Sequence, residues 1–177
     1  MRSLKFLNIN SCSLSTTHPV WHCGDDPIQV TRAQVKASLL VGRYPLSSLK
    51  CAGKNRRETC PLCEDEAETA EHFILKCEKL DEARSKYMVK LNPIFSKYDV
   101  TAASAIVATI IDPSHTVTKE DLWQTEDITR RLVFSLHNQR SILLGGSSAM
   151  AWARRRGSKN LTNHRRPPAK DQEGSPT

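Results

Sequence analysis

Apolar residues recur at helical spacing near the end of the first quarter of the chain. Thr31 and Gln34 form a capping box, the apolar residues behind them repeat every three or four positions, and Gly42 supplies a C-terminal stop. This pattern predicts a helix over residues 32–41. A second, shorter pattern begins at Thr69, which is suited to cap a helical turn through residues 72–75.

Three further helical patterns follow in the second half of the chain. Residues 79–91 keep helical period until Pro93, and residues 101–111 form a short apolar helix or a buried segment. Thr125 opens the longest pattern, which has acidic residues in its first turn and ends at the glycine pair that starts at Gly145. No alternating apolar run is long enough for a substantial sheet. The predicted fold class is therefore mainly α, a small helical domain.

These patterns divide the chain into four parts. Residues 1–29 are predicted to be an irregular N-terminal segment. Residues 30–92 are predicted to hold a basic helix and a segment rich in cysteine and acidic residues, residues 60–77, which we call the knuckle. Residues 93–145 form the helical C-terminal part of the same domain. Residues 146–177 are rich in Ser, Gly, Pro, Arg and Lys, and their few apolar residues cannot offset the entropy lost on ordering. We expect this basic tail to be disordered.

The charge balance favours an anionic partner. The 177 residues carry 26 Lys and Arg against 19 Asp and Glu, a formal net charge of +7, and nucleic acid is the polyanion that basic domains most often meet. The longest uncharged apolar run is far shorter than the roughly 20 residues that span a bilayer, and the N-terminus has no signal-peptide core. We therefore expect an intracellular protein without a membrane partner, and the basic composition makes the nucleus a candidate compartment.

The positive charge is concentrated before the knuckle. The stretch 31–57 contains seven cations and no acid, whereas residues 58–91 hold nine acids against five cations. The first three of the seven lie roughly on one side of the predicted helix, which gives it a basic face. A merely soluble surface is the alternative interpretation. Only Tyr44 lies near this run, so base stacking and sequence preference are expected to be weak. The predicted nucleic-acid contacts are Arg32, Lys36, Arg43, Lys50, Lys54, Arg56 and Arg57.

The most specific motif has the spacing C-x2-C-x8-H-x4-C, formed by Cys60, Cys63, His72 and Cys77. Zn²⁺ prefers four tetrahedral nitrogen or sulfur donors, and a two-residue gap lets one tight turn direct two thiolates at a common point. Four protein donors leave no position for a substrate water, so we predict one structural Zn²⁺ per chain. The alternative is a set of ordinary cysteines and a helical histidine.

Other candidate residues give weaker signals. His18, His22 and Cys23 lack a fourth donor and are interpreted as a loop, and the roles of Cys12 and Cys51 stay open. No nucleophile elbow or phosphate-binding loop occurs, so the chain is predicted not to be an enzyme. The acidic residues around the knuckle are interpreted as a solvated loop; they are Glu64, Asp65, Glu66, Glu68 and Glu71.

These motifs together resemble the zinc-binding domain at the C-terminus of reverse transcriptases from non-LTR retrotransposons. The resemblance rests on residues 35–42, the Cys-Pro-Leu-Cys turn at 60–63, residues 68–77 and the following residues 80–84, and it covers roughly residues 30–92. In that family the segment follows the polymerase and is thought to help bind template RNA or target DNA. The resemblance implies the ligand role for the same two cysteines of the turn, the histidine and the last cysteine.

The chain departs from the family in having no polymerase palm motif and no upstream endonuclease. It therefore resembles a retrotransposon remnant, and the expected function is a non-catalytic, zinc-stabilised nucleic-acid-binding module. The alternative is a protein–protein interaction module in which zinc only staples the helices together and nucleic acid is not bound.

Overall fold

The computed structural model describes residues 17–47 and 59–145. Within these two ranges the chain is helical, and its only β-type pairing is an isolated antiparallel bridge between Thr59 and Ala67. The predicted mainly α fold is confirmed. The predicted disordered tail, residues 146–177, lies outside the described residues. No helix of the described part is long and apolar enough to cross a membrane.

The first long helix, α1, spans Pro27–Leu40 and begins five residues earlier than predicted. The Asp26 side chain caps it by accepting from the Ile28 N–H at 2.9 Å, and Pro27 occupies the first turn, where its missing N–H costs nothing. The predicted capping box at Thr31 is wrong, because its hydroxyl donates to the Pro27 carbonyl inside the helix. The helix thus starts within the segment predicted to be irregular.

The predicted stop at Gly42 is confirmed. Gly42 adopts a φ of +66°, the left-handed conformation that glycine tolerates best. Its N–H donates to the Leu39 carbonyl at 3.0 Å, and the Arg43 N–H donates to the Ser38 carbonyl at 2.7 Å. This pair of bonds is a Schellman motif, which satisfies the last carbonyls of α1 and turns the chain toward the knuckle.

The second long helix, α2, spans Asp81–Lys97 and continues through Pro93. The prediction that the helix ends before this proline is wrong. A proline removes the hydrogen bond to the carbonyl four residues earlier, which here belongs to Val89. Val89 is 72% exposed and Pro93 is exposed too, so this carbonyl lies on the solvent side of the helix, where water can satisfy it.

The remaining long helices are α3, Ala103–Ile111, and α4, Lys119–Leu143. The predicted apolar helix over residues 101–111 is confirmed as α3. Helix α4 begins six residues before the predicted start at Thr125, and the acids of its first turn are Glu120 and Asp121, which suit the helix dipole. Thr125 lies buried inside the helix and its hydroxyl donates to the Asp121 carbonyl.

Helices α2 and α4 run antiparallel and form the largest part of the core. The Lys97 ammonium at the end of α2 lies 2.6 Å from the Asp121 carboxylate near the start of α4. Side chains from α2, α3 and α4 are completely buried in this core. Leu91, Ile110, Leu132 and Leu136 are each 0% exposed. At about 25 cal/mol per Å² of apolar surface, this packing is the main stabilising contribution to the helical part.

Candidate metal centre

The structure brings the four predicted donors together. The donor atoms of Cys60, Cys63, His72 and Cys77 all lie within 4.8 Å of one another. The Sγ atoms of Cys60 and Cys77 are 3.9 Å apart, and Cys63 Sγ lies 3.3 Å from His72 Nε2. A tetrahedral Zn²⁺ with Zn–S bonds of 2.3 Å places its sulfur ligands about 3.8 Å apart. The donor set and its spacing therefore fit a metal ion of the zinc type.

A tight turn presents the first two cysteines. The Glu64 N–H donates to the Cys60 carbonyl at 2.9 Å, the Cys60 N–H donates to the Glu66 carbonyl at 2.7 Å, and Glu64 has a left-handed φ of 61°. Burial opposes ionisation of the Cys63 thiol, but the backbone N–H groups of Asp65 and Glu66 bond its sulfur and lower its pKa. The turn thus favours the thiolate form of Cys63, which is the form that binds metal.

A single π-type turn presents the other two donors. The turn spans His72–Lys76, and the Cys77 N–H donates to the His72 carbonyl at 2.8 Å. Because a π turn closes between residues five apart, it brings His72 and Cys77 to the same side, which an α-helix would not do. The predicted role of Thr69 is confirmed, since its hydroxyl accepts from the His72 N–H at 3.0 Å.

The electrostatics of the buried donors favour a cation at their centre. Burial and the neighbouring Cys60 sulfur raise the pKa of Cys77 to about 12. Cys60 and His72 are buried as well, whereas Cys63 is half-buried. A divalent ion between these donors would remove the energetic penalty of ionising the buried thiols, because a thiol that coordinates a metal ion is deprotonated outright. Three thiolates, one imidazole and a closed coordination shell are typical of structural zinc sites.

Contacts behind the donors hold them in place. The Glu66 carboxylate lies 3.3 Å from His72 Nδ1, so the proton of the imidazole is directed to that nitrogen and Nε2 faces the thiolates. Arg84, from α2, donates to the carbonyls of Ile74 and Cys77 at 2.8 Å each, and it also pairs with Asp81. These bonds tie the π turn to the start of α2.

A buried ion pair connects the knuckle to α4. Glu68 is 1% exposed, and its carboxylate accepts from Arg140 at 2.6 and 3.0 Å. The Ser47 backbone N–H donates to the same carboxylate at 2.7 Å. Burial opposes ionisation of Glu68, but Arg140 and Ser47 outweigh it and lower its pKa. The interpretation of all five acids as a solvated loop is thus wrong for Glu68, although Glu64, Asp65 and Glu66 are exposed.

The predicted basic face of α1 is wrong at Lys36. Lys36 is 0% exposed, and its ammonium donates to the Glu126 carboxylate and to the Thr129 hydroxyl, both at 2.6 Å. Burial lowers the pKa of Lys36, and Glu126 acts in the opposite direction. The residues of α1 that face α4 include this lysine, so its charge is neutralised in the core and cannot reach a phosphate.

The other predicted nucleic-acid contacts have different surroundings. Arg32 is half-buried, with its guanidinium 5.8 Å from the centroid of the Phe134 ring, and Arg43 is exposed. The remaining four lie outside the described residues: Lys50, Lys54, Arg56 and Arg57. Cys12 and Cys51 lie outside them too.

The weaker candidate group at the N-terminal side takes part in other contacts. His18 Nε2 lies 3.4 Å from Asp112 Oδ1, and the His22 ring packs against the Trp123 ring at a centroid distance of 4.8 Å, with the two planes tilted by 58°. Cys23 is a free, half-buried thiol. Among the residues that the structure describes, the knuckle donors are the one such metal-binding group.

Several residues that shape the centre have no signal in the sequence. Arg140 and Glu68 are separated by 72 positions, and Lys36 and Glu126 by 90. Charged residues at such separations show no periodicity or spacing that predicts their pairing. Glu66 could have been found, because metal-binding histidines usually donate their second nitrogen to a nearby carboxylate.

No family model matches the chain, no curated protein matches its sequence, and no solved structure matches its fold. The geometry of the donors and the charges around them therefore provide the basis for a functional proposal.

Proposed function

We propose that this chain is a non-catalytic nucleic-acid-binding module whose basic segment is organised by one structural Zn²⁺. The observation that carries the proposal is the convergence of three cysteines and a histidine within 4.8 Å. These four donors complete a tetrahedral shell and leave no position for a reacting water. The centre would thus supply folding energy rather than chemistry.

The knuckle also anchors both ends of a basic segment. Residues 48–58 contain four cations and one acid. On the N-terminal side, Ser47 bonds to Glu68 of the knuckle, and on the C-terminal side, Thr59 pairs with Ala67 beside the buried Cys60. Metal binding would fix the positions of these two anchors and so hold Ser47 and Thr59, the residues on either side of the basic segment, beside the knuckle.

The burial pattern narrows the set of proposed phosphate contacts. Lys36 is excluded by its pairing with Glu126, and the Arg32 guanidinium packs on Phe134. The exposed Arg43 follows directly after the Schellman turn and leads toward the basic segment. The proposed contacts are therefore Arg43, Lys50, Lys54, Arg56 and Arg57. The charges of lysine and arginine suit binding to phosphate with little sequence preference.

A salt series with two charge-reversal variants tests this proposal. Lys50→Glu/Lys54→Glu changes the basic segment, and Lys86→Glu/Lys90→Glu makes the same charge change at exposed positions of α2. Binding to a labelled single-stranded RNA is measured by fluorescence anisotropy. We expect the first variant to weaken binding and to reduce the slope of log K against log salt by about 1.4, which corresponds to two lost phosphate contacts. The second variant should keep the wild-type slope.

Equal effects of the two variants would mean that only net charge matters, and no effect of either would contradict nucleic-acid binding by this segment. Native mass spectrometry tests the metal separately. One zinc per chain is expected, and its loss on chelation should accompany the loss of RNA binding. A chain that carries no zinc after expression in zinc-supplied cells would contradict the structural ion.

The competing function is a protein–protein interaction module stapled by the same ion. It is favoured by the half-exposed apolar residues Ile142, Leu143 and Leu144 at the end of α4, close to Arg140 and thus to the knuckle. Absence of RNA binding by the zinc-loaded wild-type chain, even at low salt, would support this alternative. The proposed origin, a remnant of a retrotransposon reverse transcriptase, rests on the motif resemblance alone.

A further inference from the structure

Two tryptophans lie exposed on the face where the N-terminal turn meets α4. Trp21 is 48% exposed and Trp123 is 51% exposed. The His22 ring, which is also exposed, lies 4.8 Å from the Trp123 ring. We call Trp21, His22 and Trp123 the aromatic face. His22 follows Trp21 directly and contacts Trp123, so the three rings form one contiguous exposed patch, and such patches mark interaction sites.

The aromatic face is built on fixed backbone. Arg130 of α4 donates to the carbonyls of Val20 and His22, at 3.4 and 3.2 Å, and Val20 is fully buried. His18 Nδ1 accepts from the Val20 N–H at 3.1 Å and closes the turn Pro19–Trp21. The rings are therefore presented by an ordered turn and by a helix, and a covering group would meet a surface that is already formed.

The charges next to the aromatic face argue against phosphate. Asp25 and Asp26 follow Trp21 within five residues and are exposed. Two carboxylates repel a polyanion and attract a cationic segment. This surface thus suits an apolar segment that carries positive charge.

We propose that the aromatic face is the docking site of residues 1–16 of the same chain. This segment contains two cations, Arg2 and Lys5, and no acid, and its apolar residues are concentrated at Leu4, Phe6, Leu7 and Ile9. It joins the described chain at Thr17, four residues before Trp21.

The stretch of chain between the apolar residues of this segment and Thr17 is long enough for them to reach the aromatic face. It is also short enough to favour that contact. Eleven residues from Phe6 to Thr17 reach at most about 40 Å. Apolar side chains tethered at this range meet the rings at a high effective concentration. Docking removes the apolar part of both surfaces from water and places Arg2 and Lys5 near Asp25 and Asp26.

Tryptophan quenching tests the proposal in a Trp152→Phe background, which leaves Trp21 and Trp123 as the only emitters. The whole chain is compared with a variant that lacks residues 1–16. We expect the truncated chain to be quenched by acrylamide at least about twofold more strongly, because its rings are open to solvent. Equal quenching of the two proteins would overturn the proposal.

Point variants keep the test decisive if truncation prevents folding. Leu4→Ser/Phe6→Ser should increase quenching, whereas Asn8→Ser/Asn10→Ser, in the same segment, should not.

In the whole chain, a zero-length carbodiimide cross-link is expected between Lys5 and Asp25 or Asp26. Cross-links found only between two copies, with protection that disappears on dilution, would show a second chain as the occupant. Protection that appears only when RNA is added would show nucleic acid instead. Either result would overturn the proposal.

Discussion

The knuckle and the helical core are ordered by different forces. The core of α2, α3 and α4 buries aliphatic side chains such as Leu91 and Leu132 completely. The knuckle turn around Glu64 carries mostly exposed acids, and its order depends on donors that converge at one point. A segment of this composition gains little from apolar burial. Under the proposed function, one chain combines an apolar helical core with an exposed acidic turn whose folding energy would come from an ion.

The two regions meet through buried charge. Glu68 and Arg140 join the knuckle to α4, just as Lys36 and Glu126 join α1 to α4. Such pairs contribute little net stability compared with apolar packing, but breaking one of them leaves an uncompensated buried charge. Both pairs therefore constrain how the regions are arranged more than they strengthen the fold.

Metal removal should separate the two regions most clearly. With a strong chelator, we expect amide exchange to rise throughout the turn that contains Cys60 and Glu64 and at Cys77, while Leu91 and Leu132 stay protected. Structural zinc in comparable small domains is worth about 10 to 16 kcal/mol, and the exposed acids of the turn around Glu64 offer no apolar burial to offset its loss. Hydrogen-exchange mass spectrometry measures the difference. Cys23→Ser, which replaces a thiol outside the knuckle, is the control and should leave amide exchange in both regions unchanged. Unchanged exchange in the knuckle after chelation would contradict the proposed role of the ion.

The buried pair of the helical region allows a test within the core. Glu126→Gln leaves the Lys36 ammonium, 0% exposed, without its anionic partner. We expect the free energy of unfolding to fall by about 3 to 5 kcal/mol. The double variant Lys36→Met/Glu126→Leu removes both charges and should recover most of this loss. Urea denaturation measures both, and a double variant as unstable as the single one would show that the pair itself stabilises the fold.

Acid should weaken the helical region through Asp112. Burial opposes its ionisation, but the His18 ring, 3.4 Å away, and hydrogen bonds from Ser114 outweigh burial and lower the pKa of Asp112 to about 2. His115 faces the same carboxylate at 3.6 Å. Since the folded pKa lies below the unfolded one, the stabilisation is present above about pH 5 and is lost as the pH falls toward 2, a change of about 2 kcal/mol.

The measurement for Asp112 is a difference between two proteins. The free energy of unfolding of the wild type minus that of Asp112→Asn should shrink between pH 5 and pH 2. Other carboxylates titrate in both proteins and cancel in the difference. A constant difference over this range would mean that Asp112 keeps an ordinary pKa in the folded protein.

The smallest predicted effect concerns Glu66, which is exposed but contacts His72 Nδ1. Glu66→Gln keeps the shape of the side chain and removes the charge that orients the imidazole. We expect zinc affinity to fall about tenfold, or about 1.4 kcal/mol, as for other carboxylates behind metal-binding histidines. Competition with a chromophoric chelator measures it. Glu64→Gln, two residues away and also exposed, is the matched control and should bind zinc normally.

The sequence was most informative where chemistry or backbone geometry acts locally. The four donors are a motif whose spacing predicts a common site, and Gly42 ends α1 because a left-handed residue is needed there. Local signals failed at helix starts. Asp26 and Pro27 cap α1 better than Thr31 does, and the sequence offers several acceptable caps between which packing decides. Pro93 is tolerated because the carbonyl it leaves unpaired lies on the solvent side.

The sequence by itself determined that the chain is helical and that three cysteines and one histidine can share an ion, because periodicity and ligand spacing are properties of short segments. Tertiary structure decided which charges are available to a partner. Lys36 belongs to the same basic run as Arg43, yet one is sealed against Glu126 and the other is exposed. The reason is physical: burial depends on which helix faces pack together, and residues 90 positions apart make that contact only in the folded chain.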